Sequence, residues 1–352
     1  MKKTLALCAA LAGSHAMAQT SNVTLYGIAD ASVRHASGLS PSFAPAAGSF
    51  SGLNSGVDNT SRWGLRGTED LGGGLRALFL LEAGLNLDTG TSVNSKYFDR
   101  GSYLGLSGPW GTVTAGRQTT VLADAISPVD PLGMRVASFN PNINTVALSQ
   151  HGLGIQFGSA GLTTGSYRLD NSVKYSGSFG PVTARAMYGF GEAAGSTSSL
   201  SSSGAGLAYA SGDLAVSGAY QGFKDADGRK LEAYTLGASY RWGALRLAAN
   251  AGRNKAQTSA TAETVQRVLS AGGTFAATQA IDITAAYYKV DRSRTTARAD
   301  GYGRAVVVGE YKLSRRTRLY AELDLTRWQD GYQGAGNKSR STGASLGVMH
   351  TF

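Results

Sequence analysis

The feature of this sequence that most constrains its fold is a two-residue alternation of apolar and polar side chains. The alternation is clearest from Leu75 to Leu87, where every odd-numbered position is apolar and the even-numbered positions include Arg76 and Glu82. Successive side chains of a β-strand point to opposite faces, so this period predicts a strand with one apolar face. The same pattern returns at 304–312 and 317–326, where one row carries the charges.

Short and long connections alternate between the predicted strands. Longer polar loops are expected at 35–59, 192–203, 224–229, 254–262, 291–300 and 329–338. Short turns are expected near 70–74, 108–111, 177–181, 211–213, 242–244, 277–280 and 314–317. This rhythm is typical of an all-β, transmembrane, antiparallel up-and-down β-barrel, whose short turns lie together on the periplasmic side. Counting the segments predicts about 16 strands.

Hydropathy alone does not separate a membrane barrel from a soluble protein. Outside the first residues no apolar run approaches the roughly 18 residues of a transmembrane helix. The mean hydropathy is −0.12, but barrel strands alternate, so their hydropathy averages out. A soluble β-sandwich would alternate as well and stays open as an alternative. The connection rhythm, the N-terminal leader and an aromatic C-terminal residue favour the barrel.

The N-terminal segment has the features of a secretory signal peptide. Lys2 and Lys3 precede an apolar run, and Ala16-Met17-Ala18 forms an A-x-A cleavage site. We therefore expect a signal peptide at 1–18 and a barrel at 19–352. Cys8 is the only cysteine, so the mature chain would have no disulfide, no cysteine-ligated metal and no cysteine nucleophile.

One long stretch, about 117–165, breaks the alternation and contains three of the seven prolines. A structureless stretch of this length is uncommon in a compact domain and is usually functional. We expect it to be the third external loop and to fold into the bore of the barrel, where it would constrict the channel.

Several motifs resemble one family. They are NVTLYG at 22–27, SRWGLRGTEDLGGGL at 61–75, GTVTAGRQ at 111–118, NSVKY at 171–175, YGF at 188–190 and the terminal Phe352. Together they resemble the general trimeric porins of Gram-negative outer membranes, in particular the β-proteobacterial porin family. The resemblance runs from the signal peptide to the C-terminus.

The resemblance implies a sixteen-stranded barrel that assembles as a homotrimer, with an inward-folded third external loop. It also implies insertion by the outer-membrane barrel insertion machinery, with Phe352 as part of the assembly signal. Two positions depart from the pattern. Leu80 occupies the inward register where a polar residue is more usual, and the loop has Asp130-Pro131-Leu132-Gly133 in place of an acidic motif.

Charged residues on the predicted inner face and in the loop are the candidate pore-lining residues. They are Arg62, Arg66, Arg76, Glu82, Arg100, Arg117, Asp124, Asp130, Arg135, Arg168, Lys174 and Arg185. Arg117 shares the parity of Val113, so it needs a bulge or a strand end to turn inward. The alternative is that these arginines only pair with Glu82, Asp70 or Asp99 as struts of the barrel.

The few carboxylates in the loop predict a weak to moderate preference for anions, because a bore with excess positive charge concentrates them. We expect a water-filled channel for small hydrophilic solutes and ions. A substrate-specific porin with a binding track in the bore is an alternative, and a barrel acting mainly as an adhesin or anchor is a second one. Solutes, outer-membrane lipid and lipopolysaccharide are the expected partners.

Enzymatic and nucleic-acid functions are not expected. A G-x-S-x-G match at 343–347 lies inside a predicted strand instead of a strand–turn–helix elbow. His35, His151 and His350 have no neighbours at the spacing of a metal site or a catalytic triad, so neither metal nor cofactor is expected. The net charge of +10 is spread singly through the strands and not clustered with stacking aromatics, which argues against nucleic acid.

Overall fold

The structure is a computed structural model that describes residues 21–136, 138–146, 153, 155–159 and 167–352. The predicted signal peptide at 1–18 and part of the predicted loop lie outside the described residues.

The described chain is almost entirely β-structure. The first strands are β1 (Ser21–Leu39), β2 (Pro45–Ser55), β3 (Arg62–Gly72), β4 (Leu75–Asn86), β5 (Thr91–Ser92), β6 (Gly101–Gly108) and β7 (Gly111–Thr119). Two short helices follow, α1 (Val121–Ile126) and α2 (Pro141–Val146). The next strands are β8 (Arg168–Phe179), β9 (Val182–Gly189), β10 (Ser202–Ser211), β11 (Leu214–Lys224), β12 (Lys230–Trp242) and β13 (Leu245–Gln257). The last are β14 (Glu263–Ala276), β15 (Ile281–Arg294), β16 (Ala297–Lys312), β17 (Thr317–Gln329) and β18 (Arg340–Thr351).

The strands close into one antiparallel barrel. Each strand of the wall pairs with its sequence neighbour, and β1 pairs with β18 to close the sheet, from Ile28 opposite Thr351 to Ser37 opposite Thr342. β2 and β3 both pair with the same side of β1 and together occupy one position in the wall. β5 pairs only with β4. The described wall therefore has sixteen positions, and the predicted sixteen-stranded barrel is confirmed.

Two predicted loops are wrong. Most of 35–59 is strand, because β1 continues to Leu39 and β2 runs from Pro45 to Ser55. The small side chains of this segment give little apolar contrast between the two faces, so its alternation is weak. At 291–300 only two residues separate β15 from β16. The charges that suggested a loop instead join the two strands, since Arg292 Nη2 lies 2.8 Å from Asp300 Oδ2.

The outer face of the wall is apolar and exposed, as expected for contact with lipid. Leu25, Leu104 and Leu346 are 59–69% exposed, whereas their neighbours along each strand turn inward. Large aromatic side chains, including Phe179, Tyr240 and Trp242, lie on this outer face beside the short turns. Such residues favour a membrane–water interface. Among the described residues, no helix is long and apolar enough to cross a bilayer.

The segment after β7 packs against the inner face of the wall. Thr120 caps α1 by accepting a hydrogen bond from the Ala123 backbone N–H at 3.2 Å. The chain then runs across an inward-facing row of glycines, where Val121, Val129 and Pro131 lie against Gly204, Gly237 and Gly272. A side chain at any of these glycines would meet the loop within 3.0 Å. The small residues on β10, β12 and β14 thus leave the space that the loop fills.

Further along, the loop joins an apolar cluster inside the barrel. Leu132, Val136 and Phe139 are buried against inward-facing side chains of β14 to β18, including Tyr288 and Tyr320. This cluster fills the bore along that half of the wall. On β3 and β4, by contrast, Arg66 and Arg76 face inward and remain exposed to solvent. The water-filled part of the interior therefore lies beside β3 and β4.

Candidate channel constriction

Glu82 is the centre of a polar cluster on the inner face of the wall beside β3 and β4, which we call the open side of the bore. Tyr26 OH donates a hydrogen bond to Glu82 Oε2 at 2.9 Å, and Arg100 Nε lies 2.7 Å from Glu82 Oε1. Arg62 Nε lies 3.7 Å from the same carboxylate. The groups come from four segments, with Tyr26 on β1, Arg62 on β3, Glu82 on β4 and Arg100 just before β6. Glu82 lies opposite Gly64 of β3 and Gly101 of β6. A Cβ at Gly64 would lie 2.9 Å from the Tyr26 ring, so this glycine leaves room for the cluster.

Below this cluster, basic side chains descend the inner face toward the short turns. The guanidinium carbon of Arg66 lies 5.0 Å from the centre of the Tyr26 ring, a cation–π contact. Arg76 lies opposite Asp70 at the end of the β3–β4 ladder and is exposed. Residues four apart along a strand are roughly 13 Å apart, so Arg62, Arg66 and Arg76 form a column and not a compact patch.

Arg117 turns inward through a bulge. The β7–β8 ladder shifts register between Gly116 and Gln118. Gly116 has a φ of +132°, a conformation that residues with a side chain rarely adopt. As a result Arg117 is buried, donates from Nε to the Asp99 carbonyl at 2.6 Å, and places Nη1 2.6 Å from Asp170 Oδ1. Of the two predicted possibilities, a bulge or a strand end, the structure has the bulge.

A second basic group lies where the loop returns to the wall. The Arg168 guanidinium carbon is 4.6 Å from the centre of the Tyr167 ring. Burial alone would raise the pKa of the Tyr167 hydroxyl, but the guanidinium groups of Arg168, Arg100 and Arg62 together lower its pKa. The pKa is lowered despite burial because three guanidinium groups lie near the Tyr167 hydroxyl. They come from β3, from β8 and from the segment before β6. Lys96 pairs with Asp170 on the same side.

Asp124 is the loop carboxylate that meets the basic wall. Lys174 Nζ lies 2.8 Å from Asp124 Oδ2, and Arg185 Nε lies 3.8 Å from the same oxygen. The Thr119 hydroxyl donates to Asp124 Oδ1 at 2.7 Å. These contacts fix the start of the loop against β8 and β9, and they bring together three of the residues predicted from the sequence.

Asp130 does not line the water-filled space, so that part of the prediction is wrong. Its side chain is fully buried and accepts hydrogen bonds from Asn142 Nδ2 at 2.8 Å, Asn140 Nδ2 at 3.1 Å and Tyr288 OH at 3.1 Å. Arg135 also holds the loop in place through ion pairs. Its Nη1 lies 2.8 Å from Glu310 Oε2 and 3.1 Å from Asp58 Oδ1. It thereby ties the loop to the break between β2 and β3.

Three residues of the cluster were not predicted from the sequence. Tyr26 and Tyr167 contact the guanidinium groups of Arg66 and Arg168, and Lys96 pairs with Asp170, the carboxylate that also pairs with Arg117. The inward parity of Tyr26 on β1 could have indicated its position. Lys96 and Tyr167 lie in connections, where no alternation exists to assign a direction, so no local signal distinguishes them.

Cations outnumber carboxylates on this side of the bore. Among the described residues, nine basic side chains lie on this side of the barrel, two of them (Arg117 and Arg168) buried: Arg62, Arg66, Arg76, Lys96, Arg100, Arg117, Arg168, Lys174 and Arg185. The carboxylates described beside them are Asp70, Glu82, Asp99, Asp124 and Asp170. The inner surface therefore carries a net positive charge.

Comparison with known proteins decides the family. The family model described as Gram-negative porin matches residues 4–331. The chain belongs to the Gram-negative porin family. Over its whole length and the whole length of the relative, the porin is 29% identical to outer membrane porin protein 32 of Delftia acidovorans. An outer membrane porin of Bordetella pertussis is 40% identical over 161 residues, which is 42% of each chain.

Solved structures agree with the barrel. An anion-selective porin from Comamonas acidovorans superimposes with a TM-score of 0.77 at 27% identity, covering 94% of this chain and 100% of that one. A trimer form of OmpT of Vibrio cholerae matches in fold with a TM-score of 0.70 at 16% identity, covering 94% and 99%. The porin is thus an outer-membrane protein whose barrel forms a passive, water-filled channel for small hydrophilic solutes.

Proposed function

We propose that this porin is a general diffusion channel with a weak to moderate preference for anions. The observation that carries the proposal is the excess of basic over acidic side chains around the open part of the bore. Fixed positive charge beside low-dielectric walls raises the local concentration of anions and lowers that of cations. The anion-selective porin from Comamonas acidovorans, with the same fold and 27% identity, supports the proposal.

The test is the reversal potential of the folded full-length porin in a planar bilayer under a tenfold gradient of potassium chloride. The potential should have the sign of chloride permeation and should shrink as the mean salt concentration rises, because the fixed charges are then screened. A reversal potential of the opposite sign contradicts the proposal. Conductance linear in salt supports a general channel, whereas saturation by one class of solute favours the substrate-specific alternative.

A strut role for some of the arginines is compatible with this proposal. Arg100 and Arg117 make short ion pairs with Glu82 and Asp170. Paired cations still contribute to the field along the bore where they outnumber their partners. Arg66 and Arg76 are exposed on the same face and extend that field toward the short turns.

We also propose a homotrimer, because the relative from Vibrio cholerae has a trimer form. The broad, exposed apolar outer face supports both subunit and lipid contacts. Cross-linking of the protein in outer-membrane fragments tests this state: bands at three times the subunit mass are expected, and a single band at the subunit mass contradicts it. The adhesin or anchor alternative predicts no conductance after reconstitution.

Phe352 is proposed to be part of the signal read by the barrel insertion machinery. Its backbone pairs with Gly27 through two hydrogen bonds of 3.1 Å, which extend the seam between β1 and β18. Its ring is 46% exposed on the outer face. Replacement of Phe352 by serine should lower the yield of folded barrel in cells while the protein refolded in detergent retains its conductance.

A further inference from the structure

Two leucines of β4 face the open side of the bore. Leu78 and Leu80 have the inward register of Glu82, and both are partly exposed. Neither belongs to the two apolar clusters that the loop forms with the wall. The inner face of an outer-membrane barrel is normally polar, whereas an apolar patch that solvent reaches is typical of a binding surface. The packing of the loop therefore does not account for these leucines.

The two leucine side chains lie along the wall over the glycines of β6. A Cβ at Gly101 would lie 2.5 Å from Leu80 Cδ2, and a Cβ at Gly105 would lie 3.1 Å from Leu78 Cδ1. Tyr103, between these glycines, lies opposite Leu80 in register and is partly exposed. Leu78, Leu80 and Tyr103 thus form an apolar surface across β4 and β6, which we call the leucine strip.

A basic side chain borders the leucine strip on β3. Arg66 lies directly opposite Leu80 and is exposed. Its neighbour on the other side is Thr24 of β1, so no carboxylate lies opposite Arg66 on either adjoining strand. Glu82, two residues from Leu80 along β4, is already approached by two other arginines. Arg66 is therefore available to an anion in the bore.

We propose that the open side of the bore binds amphiphilic carboxylates, such as short alkanoates, in preference to hydrophilic anions of the same size and charge. The carboxylate lies at Arg66, because a guanidinium binds a carboxylate through two parallel hydrogen bonds. The alkyl tail lies on the leucine strip, whose two leucines are about 7 Å apart along the strand. Apolar lining with a few polar groups that fix orientation is usual for ligand sites. This inference rests on the proposed preference for anions and names the class of anion.

The first experiment compares pentanoate with glycerate, which have the same charge and the same number of non-hydrogen atoms. Each is added to the folded full-length porin in a planar bilayer in potassium chloride, and the fall in current gives an apparent binding constant. Pentanoate should bind roughly threefold to tenfold more tightly than glycerate, because its methylene groups leave water but contact the strip on one side only. Equal constants for the two solutes overturn the proposal.

Variants of the leucine strip test whether the strip causes the preference. L78N/L80N puts polar groups of similar size on a surface that faces water, and the ratio of the two binding constants should fall to near one. The matched control L78M/L80M keeps the strip apolar and should keep the ratio. An unchanged ratio in L78N/L80N overturns the proposal, and so does loss of the preference in L78M/L80M.

A third variant tests where the carboxylate lies. Arg66→Gln should weaken the binding of both solutes several-fold, because it removes the cation that both carboxylates contact. Unchanged binding of pentanoate in this variant overturns the placement at Arg66. The leucine variants alter no charge, so their reversal potential in a potassium chloride gradient should equal that of the wild type. Chloride preference without pentanoate preference contradicts this inference alone, whereas a reversal potential of the opposite sign contradicts the channel proposal.

Discussion

The two halves of the barrel interior use arginine in opposite ways. On the β14–β18 side, Arg34 of β1 is fully buried, with Nη1 2.7 Å from Glu322 Oε2 and Nη2 on Asp324. On the β3–β4 side, Arg66 and Arg76 remain exposed to the bore. The difference follows from what covers them. The loop and its apolar cluster exclude water from the first half, so each buried charge there needs a partner, whereas solvent reaches Arg66 and Arg76 in the second half.

The largest expected effect is on stability, and it comes from removing the buried ion pairs of Arg34 on the β14–β18 side. Arg34→Met keeps most of the side-chain volume and leaves Glu322 and Asp324 buried without their cation. Removing one partner of a buried ion pair typically costs about 3–5 kcal/mol. Urea unfolding of the porin in micelles should show a loss of this size. Arg66→Met on the open half is the matched control and should change stability by less than about 0.5 kcal/mol. The triple variant R34M/E322Q/D324N should recover much of the loss, and no recovery would contradict the ion-pair explanation.

The second prediction concerns the boundary between the two halves, which the loop forms. A Cβ at Gly237 would lie 2.6 Å from Val129 Cγ2 of the loop and 2.7 Å from the Ala249 carbonyl oxygen. Gly237→Ala should therefore shift the loop from the wall, at a cost of about 1–3 kcal/mol for an overpacked site. Single-channel conductance should change as well, because the loop borders the open space.

The control for this variant is Gly309→Ala on β16, where an added Cβ would meet nothing within 4 Å. It should leave both the stability and the conductance of the porin unchanged. A Gly237→Ala protein with unaltered conductance would show that the loop does not restrict the current.

Much of this comparison could be predicted from the sequence, and the remainder depends on contacts between distant segments. Alternation alone assigned Arg62, Arg66, Arg76 and Glu82 to the inner face. It also assigned Arg117 to the wrong parity unless the strand was bulged, and the bulge depends on how Gly116 of β7 meets β8.

The burial of Asp130 could not be predicted from the neighbouring sequence. A loop carboxylate that faces a pore and one that is held by amides and a phenol look the same in sequence. What distinguishes them is the approach of Asn142, twelve residues later, and of Tyr288 on β15. In the same way, the charges at 291–300 predicted a loop because their pairing across β15 and β16 is visible only once the strands are in register.

The third prediction concerns the effect of the Glu82 cluster, on the β3–β4 side, on ion selectivity. Glu82 is the carboxylate that both Arg62 and Arg100 approach. Glu82→Gln removes its negative charge while retaining its shape, so anion preference measured by reversal potential should rise. The reverse change, R62Q/R100Q, should lower anion preference by several-fold, since it removes two charges from the inner face around Glu82. Equal selectivity in these two variants would show that this cluster does not set the field.

The smallest expected effect is at the exposed end of the arginine column. Arg76 lies beside the short turns, where solvent screens its charge, and the described structure gives it no carboxylate within 4 Å. Arg76→Gln should leave unfolding unchanged within about 0.5 kcal/mol. It should lower anion preference slightly at 0.01 M salt, where the Debye length is about 30 Å, and have no effect at 1 M, where the length is about 3 Å. A selectivity change that persists at 1 M salt would instead mean that Arg76 acts at short range on ions in the bore.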